Sequence, residues 1–257
     1  YQFEAGMIIL SFGIGAYSLN SNTTGIRNTG IGAYSLSDNT TGSRNVGVGV
    51  NSLASNTTGD YNTAVGTNAL FGVTGSNNVG VGAATLFQNN AGSDNTAIGV
   101  SAGANSQQSQ AVAIGSNAGL FSQGTNTVAV GYQSGVTQQG NQAVAVGYQA
   151  LNANTTGSQN VAVGLGTLKL NIDGANNTAV GYFSLYANTF GNGNIGIGNY
   201  ALRNNTTASY NTAVGYQAGY SNTTGTGLTA IGIKALVSNT TGTDNTAVGG
   251  YYSSLSA

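Results

Sequence analysis

Fifteen glycines, each preceded by Val or Ile, recur along this chain at intervals of 16 or 17 residues, from Gly15, Gly32 and Gly49 through to Gly232 and Gly249. A fixed period is the first thing to look for in a sequence, because it means that one small unit is stacked many times. The residue two before each glycine is always Ala or Gly. Four residues after it comes Leu in ten copies, from Leu19 to Leu236, and glycine at Gly103, Gly119, Gly135 and Gly219. A polar corner, N-T-T-G, closes many copies, and the consensus reads N-T-A-V-G-Y-x-A-L-x-x-N-T-T-G-x-x. The period is too short for a helical hairpin, a propeller blade or a leucine-rich horseshoe. Within it, NTAVG alternates as a strand does, with β-branched residues suited to a pleated surface. At about 3.3 Å per residue, one period holds two short strands and two turns. The fold class is therefore all-β: a parallel β-solenoid, or β-roll, of about 15 coils of 16–17 residues. Coils about 4.8 Å apart would make a rod on the order of 70 Å long. The Val/Ile and Leu columns are expected to form its core, and stability accumulates by nearest-neighbour stacking.

The repeats occupy residues 11–249 as one β-roll domain. Residues 1–10, "YQFEAGMIIL", are more apolar than any coil and read as an N-terminal cap or a strand that docks on another subunit. Residues 250–257 read as a C-terminal tail. The start of the chain lacks the basic head and long apolar core of a signal peptide, so the chain is expected to be cytosolic, processed or a fragment. The coils around Gly99 to Gly131 lose both Leu and NTTG, but the spacing continues through them.

Two features of the repeat ask for a role. The Ala/Gly position admits nothing large, as expected where another backbone comes close. A chain–chain assembly face is therefore expected along Gly30, Gly47, Ala64, Gly80, Ala97, Ala113, Ala129, Ala145, Ala162, Ala179, Gly196, Ala213, Ala230 and Ala247; the plainer alternative is a narrow part of the roll itself. In the NTTG corner, Asn and Gly suit left-handed backbone and Thr bonds locally, while stacked Asn and Thr side chains can form ladders. Its N-T-T is also an acceptor sequon, so Asn22, Asn39, Asn56, Asn154, Asn205, Asn222 and Asn239 are candidate glycan attachment points along an external row.

Composition limits the chemistry. Charged residues are 4% of the 257, against about 25% in an average domain. Net charge is −1, and there is no His, Cys, Pro or Trp. No basic footprint for nucleic acid is present, and no apolar run is long enough to span a membrane. Without His or Cys, the usual acid–base and nucleophile arrangements lose their main players. The acids Glu4, Asp38, Asp60, Asp94, Asp173 and Asp244 sit singly. No catalytic, metal or cofactor site is expected, and the chain reads as a non-enzyme. "GNGNIG" at 191–196 matches a dinucleotide motif by pattern, but that motif must open a helix, and this one lies inside a coil. Tyr132, Tyr148, Tyr182 and Tyr216 follow aligned glycines. Such exposed rings stack on sugars or simply cover strand edges.

The stretch "NTAVGYQAGYSNTTGTGLTAIGIKAL" at 211–236, with "QAVAIG" at 110–115, "NTVAVG" at 126–131, "NQAVAVG" at 141–147 and "NVAVG" at 160–164, resembles the head repeats of trimeric autotransporter adhesins. The resemblance covers about residues 11–249. It implies a left-handed parallel β-roll, three chains side by side, and an extracellular or cell-surface head that binds host surfaces, glycans or matrix. The chain departs from that family in its longer coils and in lacking a heptad stalk or an anchor segment. Similar arrays also resemble tail-fibre-type repeats. A structural or adhesive fibre module that assembles with itself, as a homotrimer or a head-to-tail filament, is the expected function. The alternatives are a lattice- or glycan-binding solenoid of the ice-binding kind and a phage tail-fibre shaft.

Overall fold

A computed structural model describes residues 10–88, 92–106, 109–122 and 124–250. The proposed N-terminal cap and C-terminal tail lie, but for Leu10 and Gly250, outside the described residues. The chain is an all-β solenoid of parallel strands and divides into two compact units, residues 1–125 and 126–257. The first carries β1 (Phe12–Ile14), β2 (Thr29–Ile31), β3 (Val46–Val48), β4 (Thr63–Val65), β5 (Val79–Val81), β6 (Thr96–Ile98) and β7 (Val112–Ile114). The second carries β8 (Val128–Val130), β9 (Val144–Val146), β10 (Val161–Val163), β11 (Thr178–Val180), β12 (Ile195–Ile197), β13 (Thr212–Val214), β14 (Thr229–Ile231) and β15 (Thr246–Val248). Within each unit the strands pair in sequence order, parallel and in register, so that Ala162 lies beside Ala145 and Ala179. Equivalent residues of successive coils therefore stand over one another, and every column in the sequence is a column in space.

Each coil holds one regular strand where the spacing suggested two. The rest of the coil still bonds to its neighbour: Leu36 N–H donates to Ser52 O at 2.9 Å and Ser21 N–H to Ser37 O at 3.0 Å. It is not a strand because its backbone repeatedly turns left-handed. Leu185, Phe183 and Asn176 have φ of 49°, 51° and 60°, and the same three positions repeat from coil to coil. A left-handed residue other than glycine costs roughly 1–2 kcal/mol. At the Leu position that cost is offset, since burying a leucine contributes about 1.5–3 kcal/mol and Leu36, Leu53, Leu70, Leu151, Leu168, Leu185 and Leu202 are fully buried. Gly103, Gly119, Gly135 and Gly219 take the same left-handed angle without strain, which is why that column alternates between Leu and Gly only.

Of the two columns expected to form the core, Leu does and Val/Ile does not. The middle residue of each strand points inward, so the Ala/Gly column packs against Leu: Ala64, Ala97, Ala162, Ala179 and Ala213 are fully buried. The flanking Val, Ile and Thr point out, as alternate strand residues must, and Val65, Val81, Ile98 and Ile197 are 37–40% exposed. The interior is narrow, so only small residues fit beside Leu. Glycine replaces Ala where a hydroxyl already fills the space: a Cβ on Gly47 would lie 2.5 Å from Ser35 Oγ, and one on Gly196 2.6 Å from Ser184 Oγ.

The aligned glycines are required by both backbone and space. Gly66 has φ of 136°, and a Cβ there would lie 2.6 Å from the carbonyl oxygen of Gly82 in the next coil. Gly66→Ala is expected to destabilise by about 4 kcal/mol or more, beyond the usual range for single substitutions. Leu185→Ala is expected to cost about 2–5 kcal/mol. Urea unfolding followed by circular dichroism measures both, and a Gly66→Ala chain as stable as wild type would contradict the close approach.

Candidate interaction surfaces

Seen from inside the coil, the N-T-T-G corner has a different role from the one its turn chemistry suggests. Its Asn side chains point inward. Asn39, Asn56, Asn154, Asn205 and Asn222 are fully buried, and Asn22 and Asn239 half-buried. In the second unit they make an unbroken ladder: Asn188 Nδ2 donates to Asn171 Oδ1 at 2.8 Å, Asn205 to Asn188 at 2.9 Å, Asn222 to Asn205 at 3.0 Å and Asn239 to Asn222 at 3.1 Å. Each amide also donates to the carbonyl three residues on, as Asn205 does to Ala208 O at 2.9 Å. Asn171 and Asn188 belong to this ladder although their coils read N-I-D-G and N-T-F-G. The seven sequon asparagines are thus not an external row. The amide nitrogens of Asn39, Asn56, Asn154, Asn205 and Asn222 are engaged inside the folded coil, which leaves no room for a glycan there, while Asn22 and Asn239 are half-buried.

A second buried ladder stands beside the first and was hidden in the N of N-T-A-V-G. Asn28, Asn45, Asn62, Asn78 and Asn95 in the first unit, and Asn160, Asn177, Asn194 and Asn211 in the second, are buried. Each Oδ1 accepts the backbone N–H of the equivalent residue in the next coil, as Asn28 does from Asn45 at 2.9 Å and Asn177 from Asn194 at 2.9 Å. Asn95 Nδ2 donates to Asn78 Oδ1 at 3.0 Å, and each of the others donates to the corner carbonyl of that next coil, as Asn28 does to Gly42 O at 2.7 Å. The corner glycine sits between the two ladders. A Cβ on Gly25 would lie 2.3 Å from Gly42 O and 2.5 Å from Asn22 Oδ1. This crowding, rather than a left-handed backbone angle, explains the glycine. The first Thr of the corner completes the contact: Thr40 O accepts the N–H groups of Thr23, Thr24 and Gly25 at 2.9, 3.1 and 3.2 Å, and the Thr23 hydroxyl at 2.9 Å.

The expected assembly face is also corrected. Gly30, Gly47, Ala64, Gly80, Ala97, Ala113, Ala129, Ala145, Ala162, Ala179, Gly196, Ala213 and Ala230 are buried within their own coils, and Ala247 is half-buried. The thirteen buried ones are out of reach of a second chain packing alongside. What the strands offer outward is a pair of columns on either side: one of Thr and Val (Thr63, Val79, Thr96, Val112), one of Val and Ile (Val65, Val81, Ile98, Ile114). No charged residue occurs in any of the strands.

The carboxylates stand singly and serve the stack. Asp60 Oδ1 accepts the N–H of Ser43 at 2.7 Å, Asp94 the amide of Asn77 at 3.1 Å, and Asp173 the hydroxyl of Thr156. Glu4 lies outside the described residues. Among the described residues no three His, Cys, Asp or Glu come together in a way that could hold a metal, and no helix is long and apolar enough to cross a membrane. Of the tyrosines, Tyr132 and Tyr148 stack at 5.4 Å as their coil positions predict. Tyr182 instead meets Phe183 and Tyr200 edge-on at 4.4 and 5.2 Å. Desolvation raises the Tyr200 phenol above its ordinary value, helped by Tyr182 and Tyr216 and opposed by Arg203. In the first unit, Phe71 and Phe87 stack at 5.2 Å beside an open depression.

The buried ladder generates a test. Asn188→Asp keeps the shape but removes both amide donors and places a carboxylate against Asn171 Oδ1 and Gly191 O. The variant is expected to lose on the order of 3 kcal/mol at neutral pH. Burial raises the new carboxyl's folded pKa above its unfolded value, so the variant regains stability as pH falls and loses it as pH rises through the folded pKa. A flat urea midpoint from pH 4 to pH 7 would contradict the ladder. Comparison of the chain with protein-family models, curated proteins and solved structures finds no match, so the resemblance to adhesin heads stands on its quoted repeats alone.

Proposed function

We propose that this chain is a non-enzymatic assembly module of an extracellular or cell-surface fibre or adhesin, and that its outward strand face is the surface on which copies associate. One observation carries this reading. In both units the solenoid exposes in-register Val and Ile columns on strands without charge, with Ile98 40% and Ile197 40% exposed. Exposed contiguous apolar patches of this kind mark interaction surfaces more often than bare solvent faces. Burying one at roughly 25 cal/mol per Å² favours a second copy, whose equivalent face has the same spacing. The partner surface differs from the one the sequence suggested, since the aliphatic columns replace the Ala/Gly column. A homotrimer, as the adhesin resemblance implies, uses this face around an axis; a head-to-tail filament uses strand edges instead.

A second reading has its own observation. Thr212, Thr229 and Thr246 stand in register on neighbouring strands, with Val214, Ile231 and Val248 two residues along. Hydroxyls and methyls are thus ruled at about 4.8 Å along the stack and about 6.6 Å along the strand, a regular array suited to a crystalline lattice such as ice.

Light scattering of the purified 25.5 kDa chain is expected to give a mass of about three chains, and Val180→Lys with Ile197→Lys, both at outward positions, is expected to return it to one chain with unchanged circular dichroism. A wild-type monomer that depresses the freezing point without changing the melting point would move lattice binding to the front. A monomer without that activity would sink both readings.

A further inference from the structure

A second surface, built from different residues, stands in the second unit. Five residues after the aligned glycines, successive coils carry Lys169, Tyr186, Arg203 and Tyr220. The column alternates cation and ring. Lys169 Nζ lies 6.0 Å from the Tyr186 ring centre; the Arg203 guanidinium lies 5.4 Å from Tyr186 and 5.8 Å from Tyr220. Phe183 and Tyr200 widen the patch, stacked at 6.3 Å on each other and edge-on to Tyr186 and Tyr220 at 4.9 and 6.3 Å.

The coil itself does not require this ladder. The same position holds Ala54, Ala104, Val136 and Asn152 in other coils, and those coils keep the same strand register. Charge is also scarce: only five Lys and Arg occur in the chain, and two of them stand here. Among the described residues neither has a carboxylate partner. Arg203 donates one bond, to Asn204 Oδ1 at 3.0 Å, which leaves four of a guanidinium's five N–H donors for another acceptor. Cations held over ring faces remain available at their outer side to an anion.

We infer that the Lys169–Tyr186–Arg203–Tyr220 ladder is a binding site for an acidic polysaccharide lying along the stacking direction. The polysaccharide lies over the column, its C–H and hydroxyl groups against the outer edges of Tyr186 and Tyr220 and its carboxylates or sulfates on Lys169 and Arg203. The cations recur every second coil, at about 9.6 Å for coils about 4.8 Å apart, close to the length of one disaccharide in an extended chain. A guanidinium suits the forked geometry of carboxylate and sulfate. The site does not depend on the strand-face reading, because its residues lie outside the strands.

Affinity electrophoresis through gels containing heparin, polygalacturonate or neutral dextran tests it. Retardation is expected in the two polyanions and not in dextran, weakening as salt rises. Stronger retardation in heparin assigns sulfate as the anion, and stronger retardation in polygalacturonate assigns carboxylate. Lys169→Gln with Arg203→Gln is expected to weaken binding at least tenfold, and Tyr186→Ala with Tyr220→Ala by a similar factor. Arg27→Gln, in the first unit, is expected to leave it unchanged. Circular dichroism and the light-scattering mass of each variant separate loss of the site from loss of folding or assembly. Wild-type migration unaffected by either polyanion overturns the inference. So does retardation that survives in the Lys169/Arg203 variant, or a variant that loses thermal stability while its binding stays the same.

Discussion

Side-chain amides stacked at the spacing of backbone strands hold this fold together. An amide offers a donor and an acceptor on opposite sides, so a column of Asn can satisfy itself at every level. Asn205 does so, giving to Asn188 below and accepting from Asn222 above. Burying an amide without partners costs several kcal/mol against a small-molecule reference. A buried Asn therefore needs partners in its own corner or in the coils beside it, and Asn in register supplies them; where the next coil carries Val73, Asn56 Oδ1 accepts the N–H of Gly59 instead. This explains why the corner is so repetitive. It is the Asn of the corner that the neighbours use: N-I-D-G and N-T-F-G keep it and keep the ladder, whereas losing it removes a partner from the amides on either side. Among the described residues no buried side-chain nitrogen or oxygen lacks a partner.

The rest follows from how narrow such an interior must be. Two amide columns, one Leu column and the backbone of the strand leave room for Ala or Gly and nothing larger. The interior polar share is high, and apolar side chains that would form the core of a thicker fold are left outside. The outward Val, Ile and Thr are thus a consequence of the solenoid's small cross-section. They also form an uncharged surface on the strands, and this connects the packing to the proposed assembly. The cation–ring ladder follows the same stacking rule, applied at one column and over a few coils only. Its residues are not needed for the stack, and that frees them for binding.

Left-handed backbone is the cost of a coil this short. Turning the chain within 16 or 17 residues uses the aligned glycine and three further left-handed positions per coil. Leu185 accepts its angle because its burial compensates; Tyr200 and Phe183 accept theirs with partial burial and ring contacts. Each coil is individually strained and individually small, so cohesion comes from the neighbours it stacks on.

The sequence by itself determined the period, the β class, the parallel in-register stacking and the alternation of Leu with Gly. These are set by spacing, and spacing survives in one dimension. Only the tertiary structure decided which side of each column faces in. Alternation in a three-residue strand reads equally well with Val/Ile inside or with Ala inside, and hydropathy favours the wrong answer. Ala64 lies inside and Val65 outside because Leu70 and the asparagines already occupy the interior. In the same way a polar Asn-Thr-Thr reads as a solvated corner until the neighbouring coil is present. The partner that buries Asn56 is Asn39, one coil away, and that contact exists only once the chain has wound back over itself.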